Sequence, residues 1–160
     1  MKGTIPAEIN LLQNLKELDF DSNSLVGHVP TWLGNMKYLE RLDLDRNNLS
    51  GPIPENLYDS TSLKFIDLDK NILSGTISTK LGLMKQLIFY QVDYNQLIGS
   101  IPTEVATLSS LEYFSVLGNG FAVESNIPID MCNLGIQIYA NCDMCDEGVP
   151  PFCCTVCLPN

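Results

Sequence analysis

Apolar residues recur along this chain with a period of 24 residues, in step at four positions of each unit. Leu15, Leu39, Leu63, Leu87 and Leu111 open the units. Leu18, Leu42, Ile66, Tyr90 and Phe114 hold the second apolar position, and Phe20, Leu44, Leu68, Val92 and Val116 the third. Asn23, Asn47, Asn71, Asn95 and Asn119 keep the same step, and each is followed two residues later by Leu25, Leu49, Leu73, Leu97 or Phe121. The alternation across the second and third positions predicts one short strand per unit, apolar side chains inward and their neighbours outward. A fixed period of this length predicts a stacked array, in which each unit buries its apolar side against the next.

Between each asparagine and the next unit the chain reads L-x-G-x-I-P-x-x-L-G-x-L, as in Leu49-Ser50-Gly51-Pro52-Ile53-Pro54 and Leu97-Ile98-Gly99-Ser100-Ile101-Pro102. Gly27, Gly51, Gly75 and Gly99 suit a tight reversal, and Pro30, Pro54 and Pro102 then hold the backbone extended before a short outer segment. Ser78 interrupts the proline column. The repeated L-x-x-L-x-L-x-x-N with L-x-G-x-I-P resembles the plant-type leucine-rich repeat of receptor ectodomains and of inhibitors of secreted wall-degrading enzymes, over roughly residues 3–131. The resemblance implies an α/β solenoid: a right-handed leucine-rich-repeat superhelix with a concave parallel sheet and a mostly 3-10 or irregular convex side. We expect a leucine-rich-repeat domain over 1–131, with a partial first repeat and five motifs, and a cysteine-rich C-terminal cap over 132–160.

All six cysteines, Cys132, Cys142, Cys145, Cys153, Cys154 and Cys157, fall in that last segment. An even number confined to one apolar-poor end reads as a disulfide framework closing the core, with the pairing open. Cys142-x-x-Cys145 and Cys154-x-x-Cys157 also have the spacing of a four-cysteine zinc site, which would leave Cys132 and Cys153 unused. The run Met131-Cys132-Asn133-Leu134, Ala140-Asn141-Cys142 and Cys153-Cys154-x-x-Cys157 resembles the caps of leucine-rich-repeat proteins from diatoms and related algae, which usually carry Asp where this chain has Asn141. Both resemblances imply an extracellular or cell-surface location.

The 160 residues carry a formal charge of −10, and no Lys or Arg occurs after Lys85. That balance excludes nucleic acid as a partner and favours basic ones. No apolar run is long enough to span a bilayer. Gly3-Thr4-Ile5-Pro6 is already the middle of a repeat, with no polar terminal cap before it, so we expect the chain to be the C-terminal piece of a longer protein, any membrane anchor lying upstream.

The outward strand positions stack into columns, ~4.8 Å between successive members. One reads Asp19, Asp43, Asp67, Gln91, Ser115; the next Asp21, Asp45, Asp69, Asp93, Leu117. Flanking columns read Glu17, Arg41, Phe65, Phe89, Tyr113 and Ser22, Arg46, Lys70, Tyr94, Gly118. Stacked carboxylates repel unless solvent, Arg41, Arg46 and Lys70, or a bound cation relieves them. Calcium is conceivable because carboxylates are hard ligands, although the spacing is that of a strand column and not of a dedicated loop. We assign no metal or cofactor.

Phe65, Phe89, Tyr113 and Tyr94 form an outward aromatic strip of the kind enriched at interfaces, or one explained by cross-strand packing alone. The expected ligand-binding residues are Arg41, Asp45, Phe65, Asp69, Phe89, Asp93, Tyr94 and Tyr113. The ladder asparagines are read as structural, their amides turned inward to satisfy turn backbone. His28, the only histidine, lies in a Gly27–Pro30 turn with no orienting partner, and no catalytic residue is assigned. Trp32 is assigned to convex packing. Asn48-Leu49-Ser50 is an outward-facing glycosylation sequon. The expected function is a non-enzymatic protein- or peptide-binding module of a cell-surface or secreted receptor-like protein, with inhibition of secreted carbohydrate-active enzymes as the alternative.

Overall fold

The computed structural model describes residues 1–122, 127–141 and 154–158. The chain winds through two sheets in turn, and every strand pairing found among the described residues is parallel. A six-stranded sheet consists of β1 (Lys2–Gly3), β3 (Ser24–Gly27), β5 (Asn48–Pro52), β7 (Ile72–Gly75), β9 (Gln96–Gly99) and β11 (Gly120–Phe121). A seven-stranded sheet consists of β2 (Glu17–Asp19), β4 (Arg41–Asp43), β6 (Phe65–Asp67), β8 (Phe89–Gln91), β10 (Tyr113–Ser115), β12 (Gln137–Asn141) and β13 (Val156–Leu158). Five-residue 3-10 segments, from Ala7–Leu11 to Thr103–Thr107, lie between successive units. The six-stranded sheet occupies the L-x-G-x-I-P stretch, where the sequence suggested only a reversal.

Register follows directly from the period. Glu17 pairs with Arg41, Arg41 with Phe65, Phe65 with Phe89, Phe89 with Tyr113 and Tyr113 with Gln137. Between the sheets and the 3-10 segments, Leu18, Leu42, Ile66, Tyr90, Phe114 and Ile138 stack as one inner column, all buried. Full burial of such a side chain contributes ~1.5–3 kcal/mol. Leu15 and Phe20, in the first full unit, are only partly buried, whereas Leu39 and Leu44 one unit further on are inaccessible to solvent.

The ladder asparagines bind the turns. Asn71 Nδ2 donates to Leu44 O (2.9 Å), Leu68 O (3.2 Å) and Asp69 O (3.1 Å), and its Oδ1 accepts from Leu49 N (2.9 Å). Asn47, Asn95 and Asn119 repeat the same four contacts one period apart. Two of the four reach back to the preceding unit, so each amide fastens its own turn and the junction together. The residue before each asparagine takes a left-handed backbone: Ser22, Arg46, Lys70 and Tyr94 at φ 47–51°, and Gly118 at 61°. That conformation is costly for a side-chain-bearing residue and persists because the amide holds the turn from both sides.

The expected last strand around Ile136–Ala140 is β12, reached through the short helix α1 (Ile129–Cys132). It pairs with β10 and β13, so the sheet continues into the expected cap segment. Asn141 Oδ1 accepts from Gly118 N at 2.9 Å, an asparagine bond in the style of the ladder after the period itself has lapsed. Cys132 and Cys154 each take part in a disulfide. Cys142, Cys145 and Cys153 lie outside the described residues, and Cys157 is placed by the backbone of β13 alone.

Replacing Asn71 by Ala orphans three buried carbonyls and one buried N–H at once. We expect a loss of ~3–5 kcal/mol, measured by urea denaturation, against under ~1 kcal/mol for the exposed Asn14→Ala.

Candidate ligand-binding face

The seven-stranded sheet brings the expected columns into contact as the register requires. Arg41 places its guanidinium 3.7 Å from the centre of the Phe65 ring and 2.6 Å from Asp43 Oδ2. Phe65 stacks on Phe89 with centroids 4.2 Å apart, and Phe89 on Tyr113 at 4.4 Å, both within 8° of parallel. Tyr139 leans on Tyr113 at 5.0 Å, extending the stack into the irregular end of the chain. No repeat position announces Tyr139, because the period lapses after Asn119. Phe65, Phe89 and Tyr113 are each half-buried, so they pack against one another while presenting an open edge.

Tyr94 is not part of this stack. It sits at the left-handed turn position, 48% exposed, with Lys70 Nζ 5.7 Å from its ring centre and its ring lying over Gly118. A Cβ at residue 118 would fall 2.6 Å from Tyr94 Cδ1. Here glycine answers both the positive φ and the close approach of the ring.

The aspartates depart from their expected exposure. Asp45, Asp69 and Asp93 face the expected side of the sheet yet are only 7%, 3% and 3% exposed. Strands ~4.8 Å apart crowd a short side chain between longer ones. Arg46 reaches Asp45 Oδ2 at 3.1 Å and Asp21 Oδ2 at 3.2 Å, and Lys70 Nζ reaches Asp69 Oδ2 at 2.9 Å. These three aspartates therefore underlie the surface that a partner would meet.

Each member of the other acidic column has a local task. Asp19, Asp43 and Asp67 each accept, through Oδ1, the N–H of the residue two further on, at 3.1, 3.4 and 3.1 Å. The bond turns the chain out of the strand, a use of aspartate common in turns. Asp93 is saturated: Ser115 Oγ, Leu117 N and Gln91 Nε2 all donate to it at 2.7–2.9 Å. Gln91 and Ser115 thus supply neutral donors in the last units, where the earlier ones supply Arg46 and Lys70.

Burial raises the carboxyls of Asp43, Asp45, Asp67 and Asp93. Asp67 is pushed up to about 7, first by desolvation and then by the negative charges of Asp69, Asp43 and Asp45. Asp45 rises to about 6, by desolvation and by the Asp69 carboxylate beside it. Asp43 and Asp93 rise as well, their hydrogen-bond donors offsetting part of the cost of burial.

The remaining candidates lie away from this face. His28 Nδ1 is 2.8 Å from Ser50 O in an exposed turn, with no carboxylate partner among the described residues. Trp32 packs partly buried against the core from a 3-10 segment, as expected. Asn48 is exposed at the start of β5, where its side chain is open to modification. Among the described residues, no helix is long and apolar enough to cross a membrane.

This geometry agrees with the comparisons. The model of the family described as "Leucine rich repeat" matches residues 13–73. Among solved structures, the chain resembles a plant peptide hormone receptor, RGFR1 in complex with RGF2, at 33% identity and a TM-score of 0.81, over 88% of this chain and 23% of that one. The Arabidopsis receptor kinase HAESA ectodomain, in complex with an IDA peptide hormone, aligns at 30% identity and 0.80, over 88% and 23% of the two chains. A chain of the BIR3–SERK2 complex from Arabidopsis thaliana aligns at 33% identity and 0.68, over 72% and 61%. Comparison with curated proteins gives no match. The chain folds as a leucine-rich-repeat solenoid similar to plant receptor ectodomains, and it spans about a quarter or less of the length of the first of these.

Two outcomes follow from the acids. Asp67 holds its proton more tightly folded than unfolded, so its contribution to stability is complete below its unfolded value near ~3.9 and is lost as the pH rises through about 7. We expect Asp67→Asn to melt above wild type at pH 8, by about 2–4 °C for each kcal/mol relieved, the difference closing by pH 4. Asp93→Ala, by contrast, orphans the buried Leu117 N and Ser115 hydroxyl and should cost ~2–3 kcal/mol in urea denaturation at pH 7.

Proposed function

We propose that this chain is a non-enzymatic peptide- or protein-binding module, the C-terminal ectodomain part of a cell-surface or secreted receptor-like protein. The observation that carries the reading is the half-exposed stack of Phe65, Phe89 and Tyr113, headed by Arg41 and set in register across the seven-stranded sheet. An ordered aromatic strip beside paired charges supplies rigid contact area at little entropic cost, as interface hot spots do. Similarity to ectodomains solved with bound peptide hormones supports a peptide as the ligand class.

In this reading Arg41, Phe65, Phe89, Tyr113 and the more exposed Tyr94 make the contact. Asp45, Asp69 and Asp93 act from below, orienting Arg46, Lys70 and the strand ends. The partner is a protein or peptide bearing aromatic or basic groups. Aromatics match the strip directly, while the net charge of −10 draws basic chains in at long range. In this reading residues 132–160 are a cysteine-rich C-terminal cap, its cysteines suited to an oxidising extracellular setting. Asn48 is its glycosylation site, on the six-stranded sheet and clear of the binding strip.

Selection of a displayed random peptide library against the full chain tests this. We expect enrichment of aromatic- and basic-rich peptides, and a loss of affinity of at least ~30-fold in Phe89→Ala, the scale of a hot-spot residue. Enriched peptides that bind Phe89→Ala and Tyr113→Ala as tightly as wild type would place binding elsewhere.

A further inference from the structure

Beside the aromatic stack, the carboxylates of Asp43, Asp45 and Asp67 converge so that one oxygen from each lies within 4.8 Å of the others. Cations of the calcium type hold carboxylate oxygens at about 2.3–2.6 Å, so ligands opposite each other across the ion stand about 5 Å apart. The three oxygens thus fit around one ion.

A second observation points the same way. Asp45 and Asp69 are buried to better than nine-tenths, and in each the Oδ1 atom has no hydrogen-bond partner. A carboxylate can only accept, and an unsatisfied charged oxygen in a buried site costs several kcal/mol unless something positive meets it. The basic side chains do not do so. Arg46 and Lys70 take the Oδ2 atoms of Asp45 and Asp69, and Arg41 takes Oδ2 of Asp43. Asp67 has no ion-pair partner among the described residues, although its Oδ1 accepts from Asp69 N. One oxygen of each of Asp43, Asp45 and Asp69 is thus neutralised by a neighbouring side chain, while Oδ1 of Asp45 and of Asp69 is left to a proton shared between these two adjoining carboxyls or to a cation.

We propose that Asp43, Asp45 and Asp67 form a binding site for one hard divalent cation of the calcium type, with Asp69 behind Asp45 as an outer acceptor for the ion or its water. The strand-to-strand stacking of like residues creates this site, and no loop motif does. It stands whether or not the aromatic strip binds a peptide. Three protein carboxylates with water completing the shell place the affinity in the weak class of extracellular calcium modules, on the order of 0.1–1 mM. Magnesium, which keeps its water and demands a tighter octahedron, binds less well.

Calorimetric titration of calcium chloride into the chelator-treated full chain at pH 7.5 tests the proposal, alongside melts at each calcium concentration. We expect one site per chain, a melting temperature that climbs with calcium, and a weaker response to magnesium. Asp45→Asn and Asp67→Asn each lower the calcium affinity at least tenfold, while Asp19→Asn, exposed at the edge of the same column, leaves it unchanged. Absence of heat and of any melting shift in wild type up to about 10 mM calcium, tenfold above the weakest expected affinity, overturns the site. So does binding that persists undiminished in both Asp45→Asn and Asp67→Asn, since the ion would then be gathered by diffuse surface charge.

Discussion

Everything in this molecule depends on one carboxamide per repeat. A chain that leaves a three-residue strand and turns at once into a second sheet strands backbone donors and acceptors in an interior that water does not reach. The ladder asparagine is short, neutral and able to both donate and accept, so one side chain satisfies four backbone groups across two successive units. Aspartate could not donate, and glutamine would overreach the turn. The bond geometry admits no insertion between strand and asparagine, which keeps the 24-residue period unbroken to Asn119. It also holds Arg46, Lys70 and Tyr94 in a backbone conformation they would not choose.

A strict register has a second consequence, because it stacks like residues on like. For flat apolar rings this is favourable, and Phe65, Phe89 and Tyr113 lie nearly parallel at the spacing of the strands. For carboxylates it is unfavourable, and the structure meets the cost in three ways. Arg41, Arg46 and Lys70 pair the acids of the early units. Gln91 and Ser115 provide neutral donors around Asp93 in the later ones. Around Asp67 and Asp45 neither remedy is complete, and the carboxyls rise toward neutrality. The aromatic strip and the acid cluster are therefore two outcomes of the same geometric rule.

Much of this could be read from the residues. The strands, the inner column, the structural asparagines, the outward columns and the pairing of Arg41, Arg46 and Lys70 with acids all follow from position within the repeat. What could not be read was depth. Asp45 and Asp69 stand in an outward column, and nothing in an alternation of side chains says that longer neighbours will cover them. Tyr94 was grouped with the other aromatics because it is adjacent in the unit, yet its left-handed backbone sends its ring toward Gly118 instead. Gly118 itself, in a column otherwise filled by side chains, was the one sign in the sequence that this position turns left-handed. Tyr139 carried no sign at all, since the end of the period removes the coordinate by which it could be placed.

The sequence by itself thus determined the scaffold: a period of 24, one inward face, and a register that puts each outward residue directly beside its counterpart. Those properties are local and repeated, so hydrophobic pattern and turn chemistry suffice to specify them. Only the tertiary structure decided which outward residues a partner could touch and which carboxylates would be left without a proton donor. Both depend on how long side chains from neighbouring units lie across one another, and that is set by packing between repeats, which no single repeat contains.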